Sequence, residues 1–213
     1  MTTNDAPEDP PWPANPDPSK EHIYAIGRLS VNYNDLEATL LHLIQIYDDD
    51  TYHEITDFLF QKVPTNVRIE WLKKVLSIFE RDNDVILSIE HFISAYSICT
   101  DNRGLLVHSR IFALGIGDNS LLTAKRSRKT GVLTGYEFPL EVIRRISDEI
   151  EFWKRYGSHI CAYLNRRSLS QQKLPEGMQP IGPTTLPQIS SLPANLLANF
   201  PHKENKRPHP PQT

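Results

Sequence analysis

Residues 20–47, with the sequence KEHIYAIGRLSVNYNDLEATLLHLIQIY, decide the fold class. Their apolar side chains recur at steps of three and four residues, which is the period of one face of an α-helix. The stripe consists of Ile26, Leu29, Tyr33, Leu36, Leu40, Leu43 and Tyr47. A helix with one apolar face buries that face against other elements, so this segment predicts a helical bundle.

Three more segments have the same period. One helix is predicted from Thr65 to about Phe79, and another from Asp82 or Asn83 to at least Cys99. Pro139 opens a last helix to about Arg167, because proline suits the first helical turn. The segment 52–61 is compatible with a short helix.

Residues 116–138 interrupt the helical pattern. Apolar residues on both sides of the polar run 125–131 predict a two-stranded hairpin or an ordered loop. The predicted fold is therefore all-α: an up-and-down bundle of four main helices, with a small β-hairpin or loop insertion before the last helix.

The prolines set the domain boundaries. Six of the 17 lie in residues 1–18 and nine lie in residues 171–213. We therefore expect one helical domain over 19–170, with a disordered Pro-rich tail over 1–18 and another over 171–213. Within the second tail, residues 192–200 are interpreted either as a plain linker or as a segment that folds onto a partner.

Several functional classes are excluded by composition. No stretch approaches 18 apolar residues, and residues 1–20 have neither a basic nor an apolar region typical of a secretory signal. Two cysteines do not form a disulfide framework, so we expect a cytoplasmic protein without membrane contact. The chain has no glycine-rich phosphate loop and no histidine pair at metal-ligand spacing, so we predict neither cofactor nor metal.

Charge is distributed unevenly along the chain. Residues 20–102 carry seven basic and fourteen acidic residues, whereas residues 103–170 carry twelve basic and six acidic ones. A basic half suits an anionic partner such as nucleic acid. Attraction between two halves of one bundle, or a solvated face, explains the same numbers equally well.

The stretch 99–110, CTDNRGLLVHSR, combines residue types suited to phosphate chemistry. Arg103 and His108 are five residues apart, which on a helix separates them by about 140° and about 7.5 Å along the axis. Within one chain the two side chains are not expected to converge. In a two-fold dimer, Arg103 of one protomer can meet His108 of the other.

This stretch resembles the R-x4-6-H signature of the HEPN superfamily. Members are small helical-bundle proteins, often dimeric, and many are metal-independent ribonucleases found in toxin–antitoxin and phage-defence systems. The resemblance extends over the helical body, residues 20–167. It implies an endoribonuclease that acts as a homodimer on RNA, with a possible antitoxin or other regulatory protein as partner.

The residue types fit the implied chemistry. Arg103 would bind the scissile phosphate and His108 would transfer a proton as general base or acid. Asn102 and Asp101 complete the predicted catalytic set as orienting groups, because members usually carry a polar residue after the arginine and Gly104 stands there instead. Glu37 and Ser109 are further candidate orienting residues. Similar proteins tend to carry an acid at the position of Glu37, which is interpreted either as a partner of Arg103 or as an ordinary exposed helix residue. Five basic residues are candidates for holding the RNA backbone: Arg110, Lys125, Arg126, Arg128 and Lys129.

Two alternatives remain open. Gly104 can end the helix as a left-handed cap, with Leu105–Leu114 as a strand or loop and His108 an ordinary buried histidine. If the helix instead continues, the glycine permits close approach of a second backbone at a dimer axis. Independently, the same fold can serve as a non-catalytic module that binds nucleic acid, a nucleotide or a protein.

Overall fold

Five α-helices make up most of the chain that the computed structural model describes, namely residues 19–48, 52–113, 120–126, 133–172, 178–196 and 203–204. They are α1 (Lys20–Gln45), α2 (His53–Lys62), α3 (Thr65–Phe79), α4 (Asn83–Val107) and α5 (Leu140–Ser170). The predicted helical bundle with a β insertion before the last helix is confirmed. None of these helices combines the length and the apolar character that crossing a membrane requires.

The helices alternate in direction, so that α1 and α5 lie side by side and run the same way. Arg28 of α1 pairs with Glu151 of α5 at 3.0 Å, and Asp35, two turns further on, lies 3.5 Å from Lys154. Helix α4 runs the opposite way, because its Phe92 lies beside Gly157 whereas its later Cys99 is near Glu149. The end of α4 and the start of α5 therefore lie at one end of the bundle, which we call the sheet end.

The apolar stripes predicted from the sequence form the core. Five of the seven residues in the first stripe are buried. The stripe of the last helix is buried except for its first residue, and consists of Val142, Ile146, Ile150, Trp153, Tyr156, Ile160 and Leu164. Helices α1, α4 and α5 approach closely at Gly157, where an added Cβ would lie 2.5 Å from Phe92 and 2.6 Å from Thr39. Phe79, the last residue of α3, was predicted to face inward but is 59% exposed.

Helix α4 passes through Gly104 and ends at Val107. The alternative in which Gly104 is a left-handed cap is therefore wrong, since Gly182 is the one described glycine with positive φ. At its start, the Asp82 side chain accepts from the Asp84 amide at 3.0 Å, which is an ordinary N-cap. Of the residues that this alternative treats as a strand or loop, 105–107 are helical, and Arg110–Ala113 form a strand.

An antiparallel sheet in the order β1-β2-β3-β4 forms the insertion. The strands are β1 (Arg110–Ala113), β2 (Ser120–Arg126), β3 (Leu133–Pro139) and β4 (Lys203–Glu204). Strands β2 and β3 are the predicted hairpin, in register from Ser120 with Pro139 to Arg126 with Leu133. The insertion is larger than predicted, because β1 adds to one side of the hairpin and β4 adds to the other.

The predicted C-terminal tail is in part packed against the bundle. Residues 178–196 are described, and Leu196 among them is only 1% exposed. The prediction of disorder from residue 171 onward is therefore wrong for residues 178–196. A proline-containing segment without helix or strand can still pack apolar side chains into the groove between α4 and α5. The predicted N-terminal tail, residues 1–18, lies outside the described residues, as do Leu197–Phe200.

Candidate functional site

Arg103 and His108 are in contact within a single chain. The Arg103 Nη1 donates to His108 Nε2 at the sheet end of the bundle. The expectation that the two side chains converge only across a dimer was wrong. Because arginine has no acceptor atoms, His108 Nε2 is the acceptor in this contact.

The end of helix α4 explains why the two residues meet. A spacing of five separates side chains only while both residues are helical. His108 is the C-cap, with φ −100° and ψ −1°, and the chain bends at Ser109 before entering β1. The histidine therefore leaves the helical path and its ring turns back toward Arg103. His108 is exposed and Arg103 is half-buried.

Tyr33 of α1 supports the arginine and was missed as a site residue by sequence reasoning. The Arg103 guanidinium carbon lies 5.0 Å from the centre of the Tyr33 ring, within the range of a cation–π interaction. The Tyr33 hydroxyl is in turn 3.0 Å from Thr100 Oγ1 and 3.5 Å from the Tyr96 hydroxyl. Its place in the apolar stripe of α1 predicts only that Tyr33 is buried, and no sequence signal indicates which cation it meets.

The two residues predicted to orient the pair from the same helix do not do so. Asn102 is buried, and its side-chain amide binds the backbone of the C-terminal segment at Ala194 and Leu196. Asp101 is exposed and lies about 200° around α4 from Arg103. The prediction that Asn102 and Asp101 orient Arg103 and His108 is therefore corrected, because their positions on the helix point them elsewhere.

Glu37 also has a different partner from the one predicted. Its carboxylate accepts from Arg68 of α3, and not from Arg103. Arg68 is further held by a 3.0 Å hydrogen bond to the Val63 carbonyl and by the Phe60 ring, 4.3 Å from its guanidinium carbon. Glu37 lies one helical turn beyond Tyr33, so this ion pair joins α1 to α3 rather than to the end of α4.

The remaining predicted residues divide by what the structure describes. Ser109 is buried, and its hydroxyl has no hydrogen-bond partner among the described residues. Arg110 opens β1, and Lys125 and Arg126 end β2. Their strands lie at the sheet end, but only their backbones are described. Arg128 and Lys129 lie outside the described residues.

Other kinds of chemistry have little support in the described part of the chain. Burial raises the pKa of the Cys99 and Cys161 thiols to about 12, so both are protonated near neutral pH. Among the described residues, no group of three or more His, Cys, Asp and Glu side chains is placed to hold a metal ion. The Arg103–His108 contact is therefore the candidate site.

The comparisons with known proteins add no assignment: no protein-family model, no curated protein and no solved structure matches this chain.

Proposed function

We propose that this protein is a metal-independent endoribonuclease of the HEPN type, with Arg103 and His108 as its catalytic residues. One observation carries the proposal: the arginine and the histidine of the R-x4-6-H motif touch each other at an accessible helix end. Arginine is permanently charged and binds phosphate with two donors, and histidine transfers protons near neutral pH.

The contact between the two residues suggests how substrate binding starts the reaction. Hydrogen bonds from arginine to a phosphate are charge-assisted, and are stronger than one to a neutral imidazole nitrogen. An RNA phosphate therefore draws Arg103 away from His108 Nε2. The freed nitrogen then accepts the 2′-OH proton while the 2′-oxygen attacks phosphorus and the P–O5′ bond breaks. The leaving 5′-oxygen takes up a proton from water, and His108 returns its proton to the solvent. The products are a 2′,3′-cyclic phosphate and a 5′-hydroxyl.

The same proposal includes a homodimer that acts on RNA in the cytoplasm, as a toxin or phage-defence component restrained by a regulatory protein. The intrachain contact removes one reason for a dimer, since each chain holds its own arginine and histidine together. A dimer would instead place two such pairs in one groove.

A second candidate function is a non-catalytic module of the same fold that binds nucleic acid, a nucleotide or a protein. The position of Asn102 favours it, because the side-chain amide predicted to orient the pair is committed to the C-terminal segment. Under this alternative, Arg103 still binds phosphate but no proton transfer follows.

RNA cleavage by the purified full-length protein in EDTA tests the proposal. We expect His108→Ala and Arg103→Ala each to lower the cleavage rate by about 10²-fold or more while the bundle stays folded by circular dichroism. His42→Ala and Arg81→Ala are matched controls at the opposite end of the bundle and should cleave like the wild type. Absence of cleavage across a diverse RNA pool, with RNA binding that depends on Arg103, would support the binding module instead.

A further inference from the structure

The C-terminal strap, defined as residues 178–196, lies along the groove between α4 and α5 and contains no charged residue. Side chains of the two helices hold its backbone carbonyls. Arg166 donates to the Gly182 carbonyl at 2.9 Å, His159 Nε2 lies 3.0 Å from the Thr185 carbonyl and His91 Nε2 lies 2.7 Å from the Ser190 carbonyl. The strap thus runs from the end of α5 back toward the sheet end.

The last described contact of the strap is made by Asn102, the residue before Arg103. Asn102 Nδ2 donates to the Ala194 carbonyl at 2.8 Å, and the Leu196 amide donates to Asn102 Oδ1 at 3.0 Å. The Ala194 backbone also lies near the Glu149 carboxylate of α5, where it lowers the pKa that burial raises. Asn102 and Leu196 are each 1% exposed, so these bonds are formed away from water.

The last turn of α4 has few local stabilising features. Gly104 lies within it, and glycine in a helix interior costs about 1 kcal/mol relative to alanine. The turn carries no basic residue, and its C-cap is His108 rather than a left-handed glycine. Contacts from outside the helix therefore decide how firmly this turn, and Arg103 just before it, is held. These contacts are the burial of Leu105 and Leu106 in the core and the strap's hydrogen bonds to Asn102.

We propose that the strap is a positioning element for the Arg103–His108 pair, with Asn102 as the link between them. A seated strap holds the last turn of α4, which keeps Arg103 over Tyr33 and within reach of His108. Release of the strap loosens that turn and separates the pair. The catalytic consequence rests on the proposed function, whereas the structural coupling does not.

The strap supports the pair and does not cover it. Successive helical residues point about 100° apart. Asn102 faces the strap and α5, whereas Arg103 faces Tyr33 on α1. Loss of the strap contact is therefore expected to weaken the site and not to expose it.

Hydrogen exchange of the full-length protein tests the coupling. In Leu196→Ala, which alters the strap and leaves α4 unchanged, we expect amides 103–107 to exchange at least tenfold faster than in the wild type. Asn102→Ala should do the same. Leu192→Ala is the matched control, since it makes the same change on the same strap at a side chain that is 44% exposed. Amides of α3 should keep their wild-type rates in all three variants.

The coupling is overturned if strap amides exchange faster in Leu196→Ala while amides 103–107 keep their wild-type rates. Should Leu196→Ala unfold the bundle, which would show as faster exchange in α3, the milder Leu196→Val gives the same comparison.

RNA cleavage by the same variants separates this proposal from the proposed function. A wild-type protein that cleaves RNA should lose about tenfold in rate in Leu196→Ala and nothing in Leu192→Ala. Full activity of Leu196→Ala despite faster exchange at 103–107 would overturn the positioning role. If the wild type cleaves no RNA but the exchange coupling is present, the proposed function fails and the strap still positions the end of α4.

Discussion

Gly104 stands beside the proposed phosphate-binding arginine, at a position where nothing within the described chain requires a glycine. Its backbone is helical, and a Cβ built there meets no atom within 4 Å. Gly27 in α1 has the same two properties. The two glycines therefore form a matched pair. Gly104 lies next to Arg103 in α4, whereas Gly27 lies in α1, which carries neither Arg103 nor His108.

Gly104→Ala and Gly27→Ala should each raise the free energy of unfolding by about 1 kcal/mol, because alanine loses less backbone entropy on forming a helix. Urea denaturation followed by circular dichroism measures both. If RNA or a second chain must approach the backbone closely at Gly104, Gly104→Ala should become more stable but lose RNA cleavage. Gly27→Ala should gain the same stability and still cleave RNA. A destabilised Gly104→Ala would contradict the open space seen around that position.

At the scale of elements, a buried carboxylate joins the connection between α3 and α4 to the end of α5. Glu80 is 5% exposed, accepts from Arg167 Nη2 at 2.5 Å and from the Tyr47 hydroxyl at 2.7 Å, and also accepts from the Asp82 amide. Burial by itself raises the pKa of Glu80, but the hydrogen bonds from Arg167, the Asp82 amide and Tyr47 outweigh it and lower the pKa to about 2.

Glu80→Gln should therefore destabilise the protein by roughly 3 kcal/mol near pH 7. Because the folded-state pKa lies below that of the unfolded chain, the wild-type contribution is complete above about pH 4.5 and is lost as the pH falls toward 2. Urea unfolding at pH 7, 4 and 2.5 measures this contribution. The difference in unfolding free energy between the wild type and Glu80→Gln should become smaller as the pH falls.

The control for this experiment is Glu70→Gln, which removes an exposed carboxylate paired with Lys73. Exposed pairs of this kind contribute about 0–1 kcal/mol, so its effect should be small at every pH. If the difference in unfolding free energy between the wild type and Glu80→Gln stays constant from pH 7 to 2.5, the negative charge of Glu80 is not what stabilises the fold.

At the scale of the whole molecule, the two cysteines report on the cooperativity of the bundle. Cys99 of α4 and Cys161 of α5 are both buried, and burial is the first cause of the raised pKa of each thiol. Cys99 is 1% exposed, and Cys161, which lines a cavity beside the end of α1 and the start of α2, is 8% exposed, so a bulky reagent reaches either sulfur only when the bundle opens. We expect neither thiol to react with an aromatic disulfide reagent in the native protein on the timescale on which the urea-unfolded protein reacts fully.

The reaction rates of the two thiols should also rise together with urea, in parallel with global unfolding. Each single variant, Cys99→Ala and Cys161→Ala, isolates the remaining thiol. Rapid reaction of either thiol in the absence of urea would mean that the bundle opens locally at that cysteine.

The sequence by itself determined the helices, their inward faces and the place of the β insertion. These follow from local periodicity and from capping residues such as Asp82, because the hydrogen bonds of a helix join residues that are close in sequence. The apolar stripe of each helix then determines which face turns toward the core. It also singled out Arg103 and His108 as residue types suited to phosphate chemistry. It did not indicate where their side chains would lie.

Only the tertiary structure decided which side chains meet. The end of α4 one residue before His108 brought that histidine back to Arg103, and the packing of α1 placed Tyr33 beneath the guanidinium. The Asn102 side chain binds the strap, and the Glu37 carboxylate binds Arg68. In both pairs the two partners are far apart in the sequence. Such contacts depend on how whole elements are arranged in space, and a single sequence carries no local period that encodes them.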